Sequence, residues 1–233
     1  MNKKLNIVLF CYNFPHRKTI DFFHKLYENK FNISLILAAD YVNIVKSKSA
    51  ISFPKQHFTD SINQLAKKHN IPFFAVKHNS QDTIRLIKNY QINFGVIAGA
   101  RILNNEVINV VKYGILNFHP GLLPFIRGLD SVLWSIHKNQ PIGVTAHLIN
   151  EKIDSGLLVC QQKLDISVDD NIESLYEKNY QLQLYLLPIS LNLILKNQNF
   201  KNLKLGEYNH KMSYEMQLMV LKKFSQYIKN III

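Results

Sequence analysis

Continuous apolar runs alternate with segments of helical spacing along the first half of the chain. Residues 5–10 form an unbroken apolar stretch, the pattern of a strand buried on both faces of a parallel sheet. Over 19–30, Ile20, Phe23, Leu26 and Tyr27 share one helical face. A strand over 33–39 follows, then a helix over 59–70 capped by Thr59 or Asp60. The next strand covers 71–76, with Pro72 near its start, where proline is tolerated. A helix over 80–90, a strand over 94–98, a short helix over 104–112 and a strand over 114–119 continue the pattern. Elements taking turns in this way predict an α/β fold, a Rossmann-like doubly wound and mostly parallel sheet.

Further on, residues 129–138 read as a helix whose Trp134, the chain's one tryptophan, packs in the core. Strands follow over 142–149 and 157–165. Asp169 or Asp170 then caps a long helix reaching about residue 196, with a kink or break expected at Pro188. Residues 40–58, with Lys46, Ser47, Lys48 and Ser49, lack clear periodicity and read as a long loop near the carboxyl edge. Residues 197–233 are basic and partly helical, with Met212, Met216, Leu218, Met219, Leu221 and Phe224 as apolar content.

The chemistry concentrates between Gly114 and Gln161. Alternate side chains of a strand point the same way, so Asn117 and His119 face one side together. Pro120 ends that strand, which places both side chains at a carboxyl edge, where open α/β sheets bind ligands. The run Gly143-Val144-Thr145-Ala146-His147 returns beside it, and Asp154-Ser155-Gly156 sets a carboxylate in a turn. A hydrogen-bond donor, an imidazole and a carboxylate suit acyl transfer to an amine. Singly, each has a plainer explanation: a turn asparagine, a structural histidine, a turn-forming aspartate. His147 is assigned a supporting role. Asp130 and Ser131, at a helix start, are explained at least as well by capping as by substrate contact.

The ordered pattern N-x-H-P-x-L-L-P-x-x-R-G, then G-V-T-x-H, then I-D-x-G resembles the N10-formyltetrahydrofolate-dependent formyltransferases. It falls on Asn117, His119, Pro120, Leu122, Leu123, Pro124, Arg127 and Gly128, then Gly143, Val144, Thr145 and His147, then Ile153, Asp154 and Gly156. The core match covers residues 90–165. The resemblance implies a catalytic trio on Asn117, His119 and Asp154. It also implies a formyl donor, N10-formyltetrahydrofolate, held by Ala98, Gly99, Ala100, Arg101 and Ile102 and by Gln140, Pro141 and Ile142, with no metal. Acceptor contacts are expected from Tyr12, Asn13, Pro120, Gly121, Arg127 and Gly128. The catalytic domain is expected over 1–198, with a C-terminal appendage over 199–233 for packing or a dimer contact; the family suggests a homodimer.

Composition narrows this only partly. The net charge of +12 could gather an anionic substrate. With 24 lysines among 28 basic residues, compositional drift of an AT-rich genome explains it better. No basic block or aromatic platform marks a nucleic-acid binder, so no nucleic-acid partner is expected. Cys11 and Cys160 are too few for a disulfide scaffold, and no Cys/His spacing reads as a zinc site. The opening residues read as a strand rather than a signal peptide, and no stretch suggests a membrane span; a cytoplasmic location is expected.

Elimination chooses the acceptor. The loop over 11–17 lacks the small residues of the phosphate loop found in glycinamide ribonucleotide formyltransferases. The tail is short for the tRNA domain of methionyl-tRNA formyltransferases, and there is no room upstream for the regulatory domain of formyltetrahydrofolate hydrolases. Size and the run Arg127-Gly128-Leu129-Asp130-Ser131 look like the sugar N-formyltransferases. A dTDP-linked 4-amino-4,6-dideoxyglucose of O-antigen biosynthesis is therefore the expected acceptor. A methionyl-tRNA formyltransferase lacking its C-terminal domain, or a non-enzymatic folate-binding protein, are the alternatives.

Overall fold

The computed structural model describes residues 4–43, 47–53, 60–196 and 198–232. In β1 (Ile7–Tyr12), Ile7, Leu9 and Cys11 pack to one side and Val8 and Phe10 to the other, all five buried. That is why an unbroken apolar run becomes a central strand. The chain continues through α1 (Arg17–Glu28), β2 (Ile33–Ala39), α2 (Ile62–Lys68), β3 (Phe73–Ala75), α3 (Gln81–Asn89), β4 (Phe94–Ile97), α4 (Asn105–Val110) and β5 (Ile115–His119). A two-residue β6 (Arg127–Gly128) and α5 (Ser131–His137) lead to β7 (Gly143–Leu148) and β8 (Leu157–Lys163). Then come α6 (Ile172–Leu195), β9 (Lys201–Asn202), β10 (Tyr208–Asn209) and α7 (Tyr214–Ile232).

The main sheet runs β3-β2-β1-β4-β5-β7-β8-β9. Its first five strands are parallel, and β7, β8 and β9 add antiparallel. Strand order reverses between β1 and β4, and a ligand crevice opens at such a switch point. α1 and α6 cover one face through Phe22, Phe118 and Leu187; α3 and α4 cover the other through Phe10, Leu37, Ile87 and Val107. A third cluster joins α5 to α7 around Val132, Ile136, Met212 and Tyr227.

Local signals mostly fall where expected, with three corrections. α2 is capped by Ser61 in a capping box with Gln64, not by Asp60; Thr59 lies outside the described residues. α6 is capped by Asn171, while Asp170 accepts from Ser167 N (2.8 Å) and Lys178 Nζ (2.6 Å). α6 also runs unbroken through Pro188, because Leu186, Leu187, Leu191 and Ile194 are buried on both sides of it and hold the two halves on the sheet.

The C-terminal residues return to the middle of the chain. β10 pairs in parallel with β6, Tyr208 opposite Arg127 and Asn209 opposite Gly128. Trp134 Nε1 donates to the His210 carbonyl at 2.8 Å, so this tryptophan is a clamp as well as packing.

Candidate active site

β5 and β7 face each other with Asn117 opposite His147 and His119 opposite Thr145. The register of β7 against β8 shifts between Ala146 and His147, a bulge that re-aims side chains at the site. Thr145 shapes the loop after β5: its hydroxyl donates to Gly121 O (2.7 Å) and accepts from Leu123 N (3.0 Å). Gly121 must be glycine, since a Cβ there would stand 2.8 Å from Ile126 O and 2.9 Å from His119 Nε2.

His119 is buried, and acceptors face both ring nitrogens. Nε2 donates to Ile126 O at 2.6 Å, and Nδ1 lies 3.3 Å from Asp154 Oδ1. The two contacts fix the plane of the ring between the loop after β5 and the Asp154 turn. Ser131 Oγ adds a contact to Nε2 at 3.3 Å, although it stands at a helix start. Asp154 Oδ2 accepts from Gly128 N at 2.9 Å. Burial pushes the Asp154 carboxyl upward. The hydrogen bond and charge of His119, with the Gly128 N–H, outweigh it and hold the group below its ordinary value.

Asn117 is fixed from the other side. His147 Nδ1 donates to Ser155 O at 2.7 Å, which leaves Nε2 to accept from Asn117 Nδ2 at 3.2 Å. That tautomer orients the Asn117 amide and leaves its second N–H for the cavity. Burial, opposed by the Ser155 carbonyl, pulls His147 down to about 4 from an ordinary 6.5. Between those values the unfolded chain takes a proton on this ring and the folded chain does not. Stability is therefore full above pH 6.5 and falls toward pH 4, by up to about 3 kcal/mol from this ring. Urea midpoints should drop over that window, and His147→Gln should flatten the drop; equal slopes in both proteins would refute the assignment.

The turn carrying Asp154 is held tightly. Asp154 and Gly156 have φ of 47° and 105°. A Cβ on Gly156 would overlap the Leu148 carbonyl oxygen. Gly156→Ala should therefore cost about 2–4 kcal/mol of stability, read from denaturant midpoints; a loss under about 0.5 kcal/mol would mean that the turn tolerates a side chain.

A cavity of about 200 Å³ receives this chemistry. Asn117 and Asp154 line it, with Ile97, Ala100, Ile102 and Ile153 giving apolar walls, which suits a flat heteroaromatic ring beside a polar reacting group. His119 does not line it and stands behind Asp154. Ala100, Arg101 and Ile102 line it too, whereas Ala98 is buried with its carbonyl accepting from Thr19 Oγ1 (3.2 Å) and Gly99 abuts Tyr12. Gln140, Pro141 and Ile142 are not brought here. They lead into Gly143, two residues before Thr145, the partner of His119, so they sit past the end of β5 and line no part of this cavity. Ile142 is instead buried between α5 and α7, and Gln140 O accepts from Tyr227 (2.9 Å).

The residues expected to meet the acceptor divide. Tyr12 lines a larger neighbouring cleft, and Asn13 donates to Asp40 (2.7 Å). Pro120 O accepts from Asn179 (3.3 Å). Arg127 is occupied within the chain: Nε donates to Ile153 O (2.8 Å) and a terminal nitrogen to Gly206 O (3.3 Å), so it braces the Asp154 turn instead of presenting a free cation. Gly128 (φ 104°) packs against the Asn209 backbone. Thr145 and the wall at 149–152 are the parts to which the sequence assigned no role, and Ser131, open there between capping and substrate contact, meets the His119 ring. Among the described residues, no three of His, Cys, Asp and Glu gather as metal ligands, and no helix is long and apolar enough to cross a membrane.

A carboxamide, an imidazole and a carboxylate at the carboxyl edge of a doubly wound sheet define an α/β protein equipped for oxyanion and proton-transfer chemistry. The chain belongs to the formyl transferase family, whose description matches residues 18–190. A methionyl-tRNA formyltransferase of Prochlorococcus marinus is 33% identical over 161 residues, 68% of this chain and 46% of that protein. The chain spans less than half the length of the curated relatives it matches. The fold is shared with a phosphoribosylglycinamide formyltransferase from Bacillus halodurans (TM-score 0.62, 23% identity, 83% of this chain and 98% of that one). It is shared as well with a sugar N-formyltransferase from a Shewanella species (TM-score 0.61, 20% identity, 93% of this chain and 86% of that one).

Proposed function

We propose that this protein transfers a formyl group from N10-formyltetrahydrofolate to the 4-amino group of a nucleotide-linked dideoxy amino sugar, with a dTDP-linked sugar the favoured acceptor. The observation that carries the chemistry is the coupled pair of networks meeting at one cavity: His147–Asn117 on one side and His119–Asp154–Gly128 on the other. Asn117 donates its second N–H to the formyl oxygen. His119, held by Ile126 O and Asp154, supports the negative charge developing on that oxygen from behind Asp154. Asp154 takes the proton of the attacking amine, directly or through water, as the new C–N bond forms; on collapse the bond from the formyl carbon to N10 breaks and that proton passes to N10, releasing tetrahydrofolate. The apolar walls around Ala100, Ile102 and Ile153 hold the donor's ring.

The acceptor choice has separate support. The loop after β1 has no glycine, and at the start of α1 the His16 side chain accepts from Thr19 N, filling the place where a phosphate loop presents its amides. Burial, helped by the charge of Lys18, pulls His16 down to about 4, so it accepts as a neutral ring. The likeness to sugar N-formyltransferase structures extends over 93% of this chain. A second reading, formylation of methionyl-tRNA, draws on the curated relatives and on the charge of +12. Homodimer formation and a cytoplasmic setting remain part of the proposal.

The test incubates the protein with N10-formyltetrahydrofolate and a panel of dTDP-, UDP- and GDP-linked 4-amino sugars and methionyl-tRNA, followed by mass spectrometry. A formyl mass gain on one nucleotide sugar is expected. Gain on the tRNA alone would replace the acceptor, and gain on none would overturn the enzymatic proposal.

A further inference from the structure

A cleft of about 640 Å³ opens beside the catalytic cavity and shares Arg101 and Ile102 with it. One part of its wall is aromatic. Tyr12 and Phe14 stack with ring centroids 4.7 Å apart, and Tyr41 meets Phe14 edge-on at 5.4 Å while remaining 61% exposed. Another part is cationic, from Lys77, Arg101 and Lys211. None of these three forms an ion pair among the described residues. The cleft's carboxylate, Asp40, is held by Asn13.

Lys211 arrives from the far end of the chain, and its place is built. His210 O accepts from Trp134 Nε1 (2.8 Å), and Met212 N donates to Asp130 Oδ2 (2.8 Å). The backbone on both sides of Lys211 is thus pinned to α5. Asp130 takes up a left-handed conformation (φ 49°) at the start of α5 without capping it, because its carboxylate serves this clamp. From the other side, Ala50 N (2.8 Å) and Ser49 Oγ (3.2 Å) donate to Gln217 Oε1, and Lys48 Nζ lies 4.0 Å over the Tyr214 ring. Residues 48–50 are thus tied to the start of α7, three to six residues beyond Lys211.

We infer that this cleft holds the nucleoside diphosphate part of the acceptor, the base on the Phe14 and Tyr41 rings and the diphosphate on Lys77, Arg101 and Lys211. The inference rests on the nucleotide-sugar proposal above and gives the C-terminal segment a direct part in binding. Three cations against one carboxylate leave an excess of positive charge that matches a diphosphate. Aromatic faces accept any base, so the cleft selects the class of ligand more strongly than the base. The glutamate tail of the folate is also anionic, and the experiment separates the two.

Calorimetric titration with dTDP, UDP and GDP, without folate, would be run on the wild type, Lys211→Ala, Phe14→Ala and, as a remote control, Lys88→Ala. At least one nucleotide should bind the wild type. Loss of Lys211 or of Phe14 should each weaken it by about 10-fold or more, with Lys88→Ala unchanged. Binding of 5-formyltetrahydrofolate diglutamate should be unaffected by all three substitutions. The inference falls if no nucleotide binds, if the Lys211 and Phe14 variants bind nucleotides as the wild type does, or if they weaken the folate instead. Formylation of a nucleotide sugar with unchanged acceptor KM in both variants would overturn this site and leave the proposed function standing. Nucleotide binding lost in the variants, with no amino sugar formylated by the wild type, would support the site and overturn the proposed acceptor.

Discussion

Asp154→Asn is expected to slow formyl transfer by roughly 100- to 10,000-fold while leaving the fold intact. The substitution preserves shape, so its effect follows from hydrogen-bond polarity. Gly128 N needs an acceptor from residue 154 and will take the amide oxygen. The amide nitrogen then faces His119 Nδ1, 3.3 Å away in the native arrangement. With Nε2 donating to Ile126 O, an N–H at Nδ1 cannot share that contact with the amide, so the native bond between residues 119 and 154 is lost. On the proposed mechanism, one change thus removes both the His119–Asp154 bond and the carboxylate proposed to take the amine proton. Single-turnover rates with saturating formyl donor measure it, and a variant within threefold of the wild type would remove Asp154 from the chemistry.

The second large effect is at Asn117. Asn117→Ala should lower the rate of the chemical step by about 100- to 1000-fold, the usual cost of losing an oxyanion donor. It removes the N–H that faces the cavity and also strips His147 Nε2 of its one protein donor. Because the apolar walls at Ala100, Ile102 and Ile153 are untouched, affinity for the formyl donor should change little, so the loss belongs in the chemical step. A variant that loses affinity and keeps its single-turnover rate would make Asn117 a binding residue only.

The alternating strands and helices were legible because each apolar run had one arrangement that buries it. β1 is apolar from Ile7 to Cys11 since both its faces are covered, and α1 shows its amphipathic spacing, whereas the caps at Ser61, Ser80 and Asn104 were not read in advance. The sheet edge bearing Asn117 and His119 followed from period two and from Pro120. Chain-distant contacts were not legible. Nothing local marks Arg127 as a brace for the Ile153 carbonyl, since that contact exists only when β6 lies beside the Asp154 turn. Gln140, Pro141 and Ile142 look like a strand entrance near the motif, and only the return of α7 shows that they are taken up in packing, with Ile142 buried there and Gln140 O accepting from Tyr227. Asp130 carried a capping signal that a backbone amide 82 residues away redirected. Pro188 carried a breaking signal that buried leucines on both sides overruled.

The pairing of β10 with β6 also sets an order of events during synthesis. Chains emerge from the ribosome amino end first, so β1 to β5 can meet their helices early. The loop at Arg127–Asp130 waits for Gly206, Asn209, His210 and Met212, which bond to Arg127, Arg127 O, Trp134 and Asp130 respectively. A translation product ending short of Gly206 contains Asn117, His119 and Asp154 yet lacks every one of these bonds. The residues proposed for catalysis are therefore made before the contacts that hold the Arg127–Asp130 loop beside them, and those contacts come last.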